Sequence, residues 1–343
     1  MFKSFEFTDK DLYIYNKEIK DYIPDIIIDS HIHSWKKSHI IYDYNFNNYK
    51  LDKPFKDLNL IDEFIYKDFQ KYMNIVFPSK KYYGMFFGLP FLFIDTEKNN
   101  NFHLINSTIN NYNFLYVTLP EEDIWKTDKS KNFLNNKNFL GFKPYPDLCK
   151  LKSDEISIFD FVNRSVLEFA EENSLFILLH LPRKRGLGDQ KNISEIVKIL
   201  KQYKKLKIIL AHAGRAYCVK DIIDKLDVLK KFDNLFFDLA LVSEVSVIEY
   251  VLKKINVNNI FYGSDNPWLL IKGKDVFIND NFYYISNKLY DWSLGPKESV
   301  KTDFTLYAYE QIRALIYAIN TTRPRCFNKY MNKIFYENFN YFL

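Results

Sequence analysis

The chain has 343 residues, 47% of them hydrophobic, and a net charge of +5. That is enough apolar material for one large domain, and the charge is too mild and too dispersed for a nucleic-acid footprint, which needs Lys and Arg gathered on one face. The three cysteines, Cys149, Cys218 and Cys326, are odd in number, far apart and form no CxxC pair, which argues against a disulfide framework and against a cysteine-based zinc site.

Short apolar runs recur along the chain with polar or helical stretches between them. In order they are Ile26–Ile28, Gly84–Ile94, Phe114–Pro120, Phe139–Pro146, Leu175–Pro182, Leu206–Gly214, Asn234–Leu241 and Asn259–Pro267. Continuous rather than alternating apolar runs suit strands buried on both faces, as in a parallel sheet. Helical spacing appears in Phe159–Asn173, Ile193–Lys205, KDIIDKLDVLKKF and VSVIEYVLKKIN, each just before a strand. The basic run KQYKKLK, Lys201–Lys207, reads as the solvated end of one such helix. Strict alternation of eight strands with helices predicts an α/β fold, a (β/α)8 TIM barrel. The barrel occupies about residues 22–270 of a single domain spanning 1–343. The segment Lys36–Lys81 is too long for one crossover helix and predicts an insertion after strand one. The tail, 271–343, predicts a helical extension with helices at Lys301–Asn320 and over CFNKYMNKIFYENFNYFL. No apolar run reaches the roughly 18 residues of a spanning helix. The charged start MFKSFEFTDKD is unlike a signal peptide. A cytoplasmic protein without membrane or nucleic-acid partners is expected.

The strand ends carry the chemistry. Strand one ends in His31 and His33, strand four near Lys143, strand five in His180, strand six in His212 and strand eight in Asp265. In a barrel of this kind the C-terminal ends of the strands gather at one rim, where active sites sit. Four of the six histidines fall at three strand ends; the other two, His39 and His103, read as ordinary residues of polar loops. Within a strand, residues two apart share a face, so His31 and His33 can reach one ion. Imidazole and carboxylate suit Zn²⁺ and similar divalent ions. Three histidines and an aspartate leave a position for water, whose pKa the ion lowers toward neutrality. Asp265 beside it can take the water's proton and deliver it to the leaving group. A lone HxH carries little, and an Asp in YGSDNP could be a helix cap; the joint pattern carries the metal centre. Arg183 and Arg215 follow His180 and His212 by three residues each. Guanidinium forks match carboxylates and phosphates, which points to a small anionic substrate. The structural alternative is an ion pair with a loop acid such as Asp189. Tyr145 and Trp268 are placed to wall the pocket.

The set DSHIH, GFKPYP, LLHLPR, LAHAGR and YGSDNPW, in this order, resembles the amidohydrolase superfamily, and most closely its amidohydrolase 2 branch of TIM-barrel metal-dependent hydrolases. The closing NKIFYENFNYFL also resembles that branch's last helix. The resemblance implies that His31, His33, His180 and Asp265 are metal ligands, with Asp265 also the proton shuttle. His212 matches a residue that is a ligand in two-metal members and polarises the substrate carbonyl in one-metal members. Lys143 matches a lysine that, when carboxylated, bridges two metals; otherwise it is a free cation for a substrate carboxylate. One Zn²⁺ is the favoured cofactor, with two ions if Lys143 is carboxylated. The implied activity is hydrolysis of a small, anionic amide, lactone or ester. The alternative is non-oxidative decarboxylation of an aromatic or unsaturated acid on the same centre. TatD-like nucleases also begin with HxH but carry a glutamate ligand at strand four, where this chain has Lys143. A barrel that has lost its chemistry is disfavoured because every ligand type is present. The relatives bring one further expectation, a homodimer.

Overall fold

A computed structural model describes residues 5–41, 62–123, 128–149, 151, 154–279, 281–288 and 302–342. Its centre is a run of eight parallel strands: β1 (Ile26–His33), β2 (Lys81–Phe87), β3 (Asn113–Thr118), β4 (Phe139–Pro144), β5 (Phe176–Leu179), β6 (Lys207–Leu210), β7 (Leu235–Asp238) and β8 (Ile260–Phe261). Each pairs with the next in sequence order. β8 returns to β1 through backbone bonds from Ser30 to Tyr262, from Asp265 to His31 and from His33 to Asn266, each 2.9 Å. The sheet therefore closes as a TIM barrel.

The helices outside it bury one stripe each. In the helix Gln190–Gln202, Ile193, Ile196, Ile199 and Leu200 are buried, a spacing that keeps them on one face. Asp189 caps that helix through the Lys191 N–H. Gly141 in β4 shows what the tight barrel requires: its φ is +145°, and a Cβ there would lie 2.0 Å from the Phe176 carbonyl oxygen of β5.

Two apolar layers separate inside from outside. Ile28, Met85, Leu115, Leu178, Ile209 and Phe261 belong to the small cluster that fills the barrel. Phe339 and Phe342, from the end of the chain, close its floor against Phe176 and Phe261. The alternate strand residues, Ile27, Phe86, Phe142, Ile177 and Leu210, face the helices.

β1 breaks this alternation. Against β2, Asp29 pairs with Gly84 but Ile32 with Phe86, so β1 holds one extra residue around Ser30 and His31. Such a bulge flips which face the following side chains take. Ile28 faces the interior, and four residues later Ile32 faces the helices. Without the bulge, His31 and His33 would point outward.

Three expectations need correction. The run Gly84–Ile94 is strand only to Phe87; the chain then turns and enters a helix at Thr96–Asn110. His103 lies on that helix rather than in a polar loop; it is fully buried, its Nε2 is 3.0 Å from the Ser34 carbonyl, and burial pulls its pKa down to about 4. The tail beyond Leu270 is not all helical: β9 (Gly273–Ile278) and β10 (Asn281–Ser286) form an antiparallel hairpin before the helix Tyr307–Thr322. Of the insertion after β1, a helix stands at Tyr66–Val76, while residues 42–61 lie outside the described residues. Among the described residues no helix is long and apolar enough to cross a membrane.

The segments flanking the barrel are tied together by a buried ion pair. Lys272 Nζ lies 2.8 Å from Asp11 Oδ2, and both side chains are nearly inaccessible. The Thr8 and Thr305 hydroxyls complete the carboxylate's shell. Removing one partner leaves a buried charge alone, so Lys272→Met should cost about 3–5 kcal/mol in urea unfolding, and pairing it with Asp11→Leu should recover part of that loss. A second buried carboxylate, Asp275 of β9, receives the Tyr307 hydroxyl. Burial pushes its pKa up from 3.8 to about 7. The folded state thus favours the protonated form, and its contribution is present below pH 4 and fades as pH rises through 7. Asp275→Asn should remove a stability slope of at most about 1.4 kcal/mol per pH unit over that window, read as the difference between wild-type and variant unfolding curves.

Candidate metal centre

Strand parity delivers most of the site. Lys143 follows Phe142, which faces the helices, and His180 and Asp238 lie two past the inward-facing Leu178 and Phe236, so these three continue inward-facing rows; Asp265 lies beyond the end of β8, on the turn that bonds back to β1. His31 and His33 join them through the bulge. His212 arrives differently. Just past β6 the backbone makes a left-handed turn, with φ of 56°, 51°, 75° and 57° at His212, Ala213, Gly214 and Arg215. Only glycine adopts this conformation without penalty; other residues cost roughly 1–2 kcal/mol each. Asp265 and Arg183 have φ of 59° and 63°. Strained positions of this kind persist where the surroundings enforce them, and they cluster at functional sites.

The side chains meet at the mouth. Asp265 Oδ1 is 3.2 Å from His31 Nε2 and 3.0 Å from His33 Nε2. The His31 ring is 4.9 Å from that of His212, which in turn is 5.3 Å from that of His180. One ligand atom each from His31, His212 and Asp265 lies within 4.8 Å of the others; among the described residues the set with this spacing includes neither His33 nor His180, two of the expected ligands. Residues 234 positions apart in the chain are thus in contact.

The hydrogen bonds fix which nitrogen faces inward. His31 Nδ1 is 2.9 Å from Asp238 Oδ2, and His212 Nδ1 is 2.9 Å from the Ala240 carbonyl oxygen. Both partners are acceptors, so Nδ1 of each ring carries a proton; neutral His212 then presents a lone pair at Nε2, whereas His31 Nε2 also faces the Asp265 carboxylate, which favours the doubly protonated ring while no cation is bound. A neutral His212 of this tautomer can ligate a cation but has no proton at Nε2 to give a substrate carbonyl.

The donor set fits a divalent ion. Asp265 Oδ1 makes no hydrogen bond despite its two imidazole neighbours, and His180 Nδ1 is also buried without one. Buried polar atoms are normally hydrogen-bonded; Asp265 Oδ1, close to two imidazole nitrogens without bonding either, is arranged as a ligand is, and His180 adjoins this group through the His212 ring. Protonation states agree. Burial lowers the pKa of His33, drives that of His180 well below the ordinary value and brings His212 to about 4. Burial works to raise Asp265, but His31 and His33 outweigh it and hold the carboxyl well below its usual range. Neutral imidazoles and ionised carboxylate are the forms that bind metal. His31 goes the other way: burial lowers it, and Asp238 with Asp265 more than offset that.

Lys143 is fully buried and makes no hydrogen bond; its Nζ sits 5.1 Å from the Phe87 ring centre and 5.4 Å from that of Tyr145. Burial pulls its pKa down to about 8. Tyr145 stands against His180, its hydroxyl 3.4 Å from Nε2. Arg215 is half-buried and donates to the Leu181 and Arg183 carbonyls at 2.9 and 3.0 Å through one nitrogen, Nη1. Trp268 is half-buried on the turn after Pro267.

Arg183 departs from its expected role. Its guanidinium is committed to Asn192 Oδ1 at 2.5 Å and to Glu195 Oε1 at 3.2 Å, both on the helix after β5. Asp189, the acid expected to hold it, caps that helix instead. The left-handed backbone at Arg183 and the buried acceptors of the next helix take the fork before a substrate can.

Sequence reasoning passed over three groups. Asp238 ends β7 inside LFFDLAL, and counting by twos from Phe236 places it inward. Asp29, fully buried, accepts the His31 and Ser264 N–H groups at 3.0 and 2.9 Å and joins β1 to the turn after β8. Tyr217, 6.5 Å from His212, stacks at 4.3 Å on Phe282 of the hairpin. No local signal announced that contact, because it depends on where the hairpin folds.

Comparisons with known proteins bear on the fold that carries these residues. Residues 126–278 match the family model described as Amidohydrolase. A comparison with curated proteins finds no match. Among solved structures, one described as an amidohydrolase II is 14% identical, covering 92% of this chain and 99% of that one, with a TM-score of 0.51. The 4-oxalomesaconate hydratase of Rhodopseudomonas palustris is 16% identical, covering 92% of this chain and 95% of that one, also with a TM-score of 0.51. These likenesses concern the fold. Residues 126–278, which hold β4 to β8 and with them His180, His212 and Asp265, are thus similar to the amidohydrolase family, and the chain has the TIM-barrel fold.

Proposed function

We propose that this chain is a metal-dependent hydrolase of a small anionic molecule with an amide, lactone or ester bond. The observation that carries the reading is the convergence of the His31 and His33 Nε2 atoms on the Asp265 carboxylate at 3.2 and 3.0 Å, deep in the barrel mouth. His31, His33, His180 and Asp265 would hold one divalent ion, and the tautomer of His212 makes it a ligand as well rather than a donor to the substrate. Imidazole-rich sets of this kind favour Zn²⁺. The ion, when bound, supplies Lewis-acid activation of water and of the scissile carbonyl.

The chain's own groups do the rest. Asp265, ionised across the ordinary pH range, accepts a proton from the attacking water and returns it to the leaving atom. Lys143 and the remaining donors of Arg215 put positive charge at the rim, which selects an anion. Tyr145 walls the site against His180.

The first test is composition: metal analysis of the purified protein should find one divalent ion per chain. Two ions, with a carboxylated Lys143, would replace the one-ion reading, and none would remove the metal-dependent one. The second is turnover. A panel of anionic lactones, amides and esters should yield a hydrolysed product with no CO₂, and Asp265→Asn should lower kcat/KM by about 10³-fold. CO₂ released from an aromatic or unsaturated acid would instead establish decarboxylation on the same donors. The third separates the arginines: Arg215→Ala should raise KM roughly tenfold with little change in kcat, whereas Arg183→Ala should leave KM alone and cost about 2–3 kcal/mol of stability.

A further inference from the structure

We infer that Asp238 is the positioning residue of this centre: one carboxylate sets the ring of His31 and the turn that presents His212. The inference rests on the metal-dependent reading above. Asp238 is fully buried at the end of β7. Its Oδ2 faces His31 Nδ1 at 2.9 Å. Its Oδ1 accepts the His212 N–H at 2.7 Å and the Ala240 N–H at 3.0 Å. Two residues on, the Ala240 carbonyl takes the His212 side chain at 2.9 Å. The segment 238–240 therefore grips His212 by backbone and by ring, and grips His31 by ring, while touching neither Nε2.

The division of labour between the two oxygens gives the chemical consequence. A carboxylate can only accept, and of the two that face the His31 ring Asp238 is the nearer, 2.9 Å from Nδ1 against 3.2 Å from Nε2 to Asp265, so the neutral ring keeps its proton on Nδ1 and has Nε2 as its ligand atom. Outer carboxylates that orient ligating histidines in this way typically contribute 10–100-fold to metal affinity. Asp29 is the natural contrast. It is equally buried and bonds the His31 backbone N–H at 3.0 Å, but it does not reach the ring. It aligns strands without selecting a tautomer.

Asp238→Asn separates the two roles. The amide oxygen can still accept from His212 and Ala240, so the turn survives. Its NH₂ then faces His31 Nδ1, and a donor there moves the ring's proton to Nε2, the ligand position. In ¹⁵N NMR of the metal-free protein, with the His31 signal assigned through its loss in His31→Gln, the wild-type neutral ring should be the Nδ1–H form. In Asp238→Asn it should be the Nε2–H form, and Zn²⁺ affinity, read by competition with a chelator, should fall 10–100-fold. Asp29→Asn should keep the wild-type tautomer whatever it does to stability. An Nε2–H ring in the wild type, or Asp238→Asn binding Zn²⁺ as tightly as wild type, overturns the inference. The wild-type tautomer needs no variant to fold. A wild type that takes up no divalent ion, yet switches tautomer on substitution, fails the metal reading while leaving Asp238 in command of the His31 ring.

Discussion

The seam where β8 meets β1 is the constraint on which the rest depends. It has no regular ladder; three backbone bonds of 2.9 Å, between residues 30–33 and 262–266, close the barrel. The same few residues carry His31, His33 and Asp265. Asp29 bonds across the seam to the Ser264 N–H, and the Ser30 hydroxyl to the Tyr262 carbonyl. Closing the fold and assembling the site are therefore one event: if the seam opens, Asp265 leaves the imidazoles. The bulge in β1 belongs to this economy. An extra residue in β1, within the strand that closes the barrel, re-aims two histidines inward at the seam itself.

A site of this kind works against its own fold. Lys143, Asp238, Asp265 and three imidazoles are brought out of water into a barrel otherwise lined by Phe, Leu and Ile. Isolated, each buried charge would be costly. The structure offsets the cost by mutual pairing: His31 lies between Asp238 and Asp265, and the carboxylates remain ionised although burial opposes it. Left-handed backbone at His212, Ala213, Arg215 and Asp265 adds strain at the same place. The surrounding core enforces it, from the Phe floor below to the helix Tyr307–Thr322, whose Gln311 bridges the Leu239 and Gly263 carbonyls at 2.7 and 2.8 Å.

What could be read from the sequence followed periodicity. Eight continuous apolar runs mark the strands because burial on both faces removes any polar position. The HxH pair and the scattered histidines stand out because so few occur. Yet the stated reason for HxH, a two-residue period along β1, is incomplete: the period holds between His31 and His33 but not from Ile28 to His31, and no pattern in DIIIDSHIH declares the bulge. Asp238 was legible by the same counting that placed His180, and was hidden only because an aspartate at a strand end invites no special reading. The hairpin Gly273–Ser286 was lost because KDVFIND and NFYYIS lie next to a helical tail. Their alternation is short, with Ile278 and Phe282 left exposed.

The two arginines show where sequence spacing stops being informative. Arg183 and Arg215 stand in the same relation to a histidine, three residues past it, and both have left-handed backbone. Their fates differ because of what lies beyond each loop. After Arg183 comes a helix that offers Asn192 and Glu195 to a guanidinium only 6% exposed. After Arg215 the chain runs through Tyr217 toward the hairpin, and no carboxylate closes on the fork among the described residues. Its Nη1 is held by two carbonyls of the β5 loop, one of them that of Arg183 itself. The second arginine is thus held in part by the backbone carbonyl of the first, which an alanine there would also offer, and Tyr217, two residues past Arg215, stacks on Phe282 of the hairpin. Under the proposed function, specificity at this mouth would be shared between a cation held by the β5 loop and the aromatic pair Tyr217–Phe282, whose position is set by a hairpin outside the eight strands of the barrel.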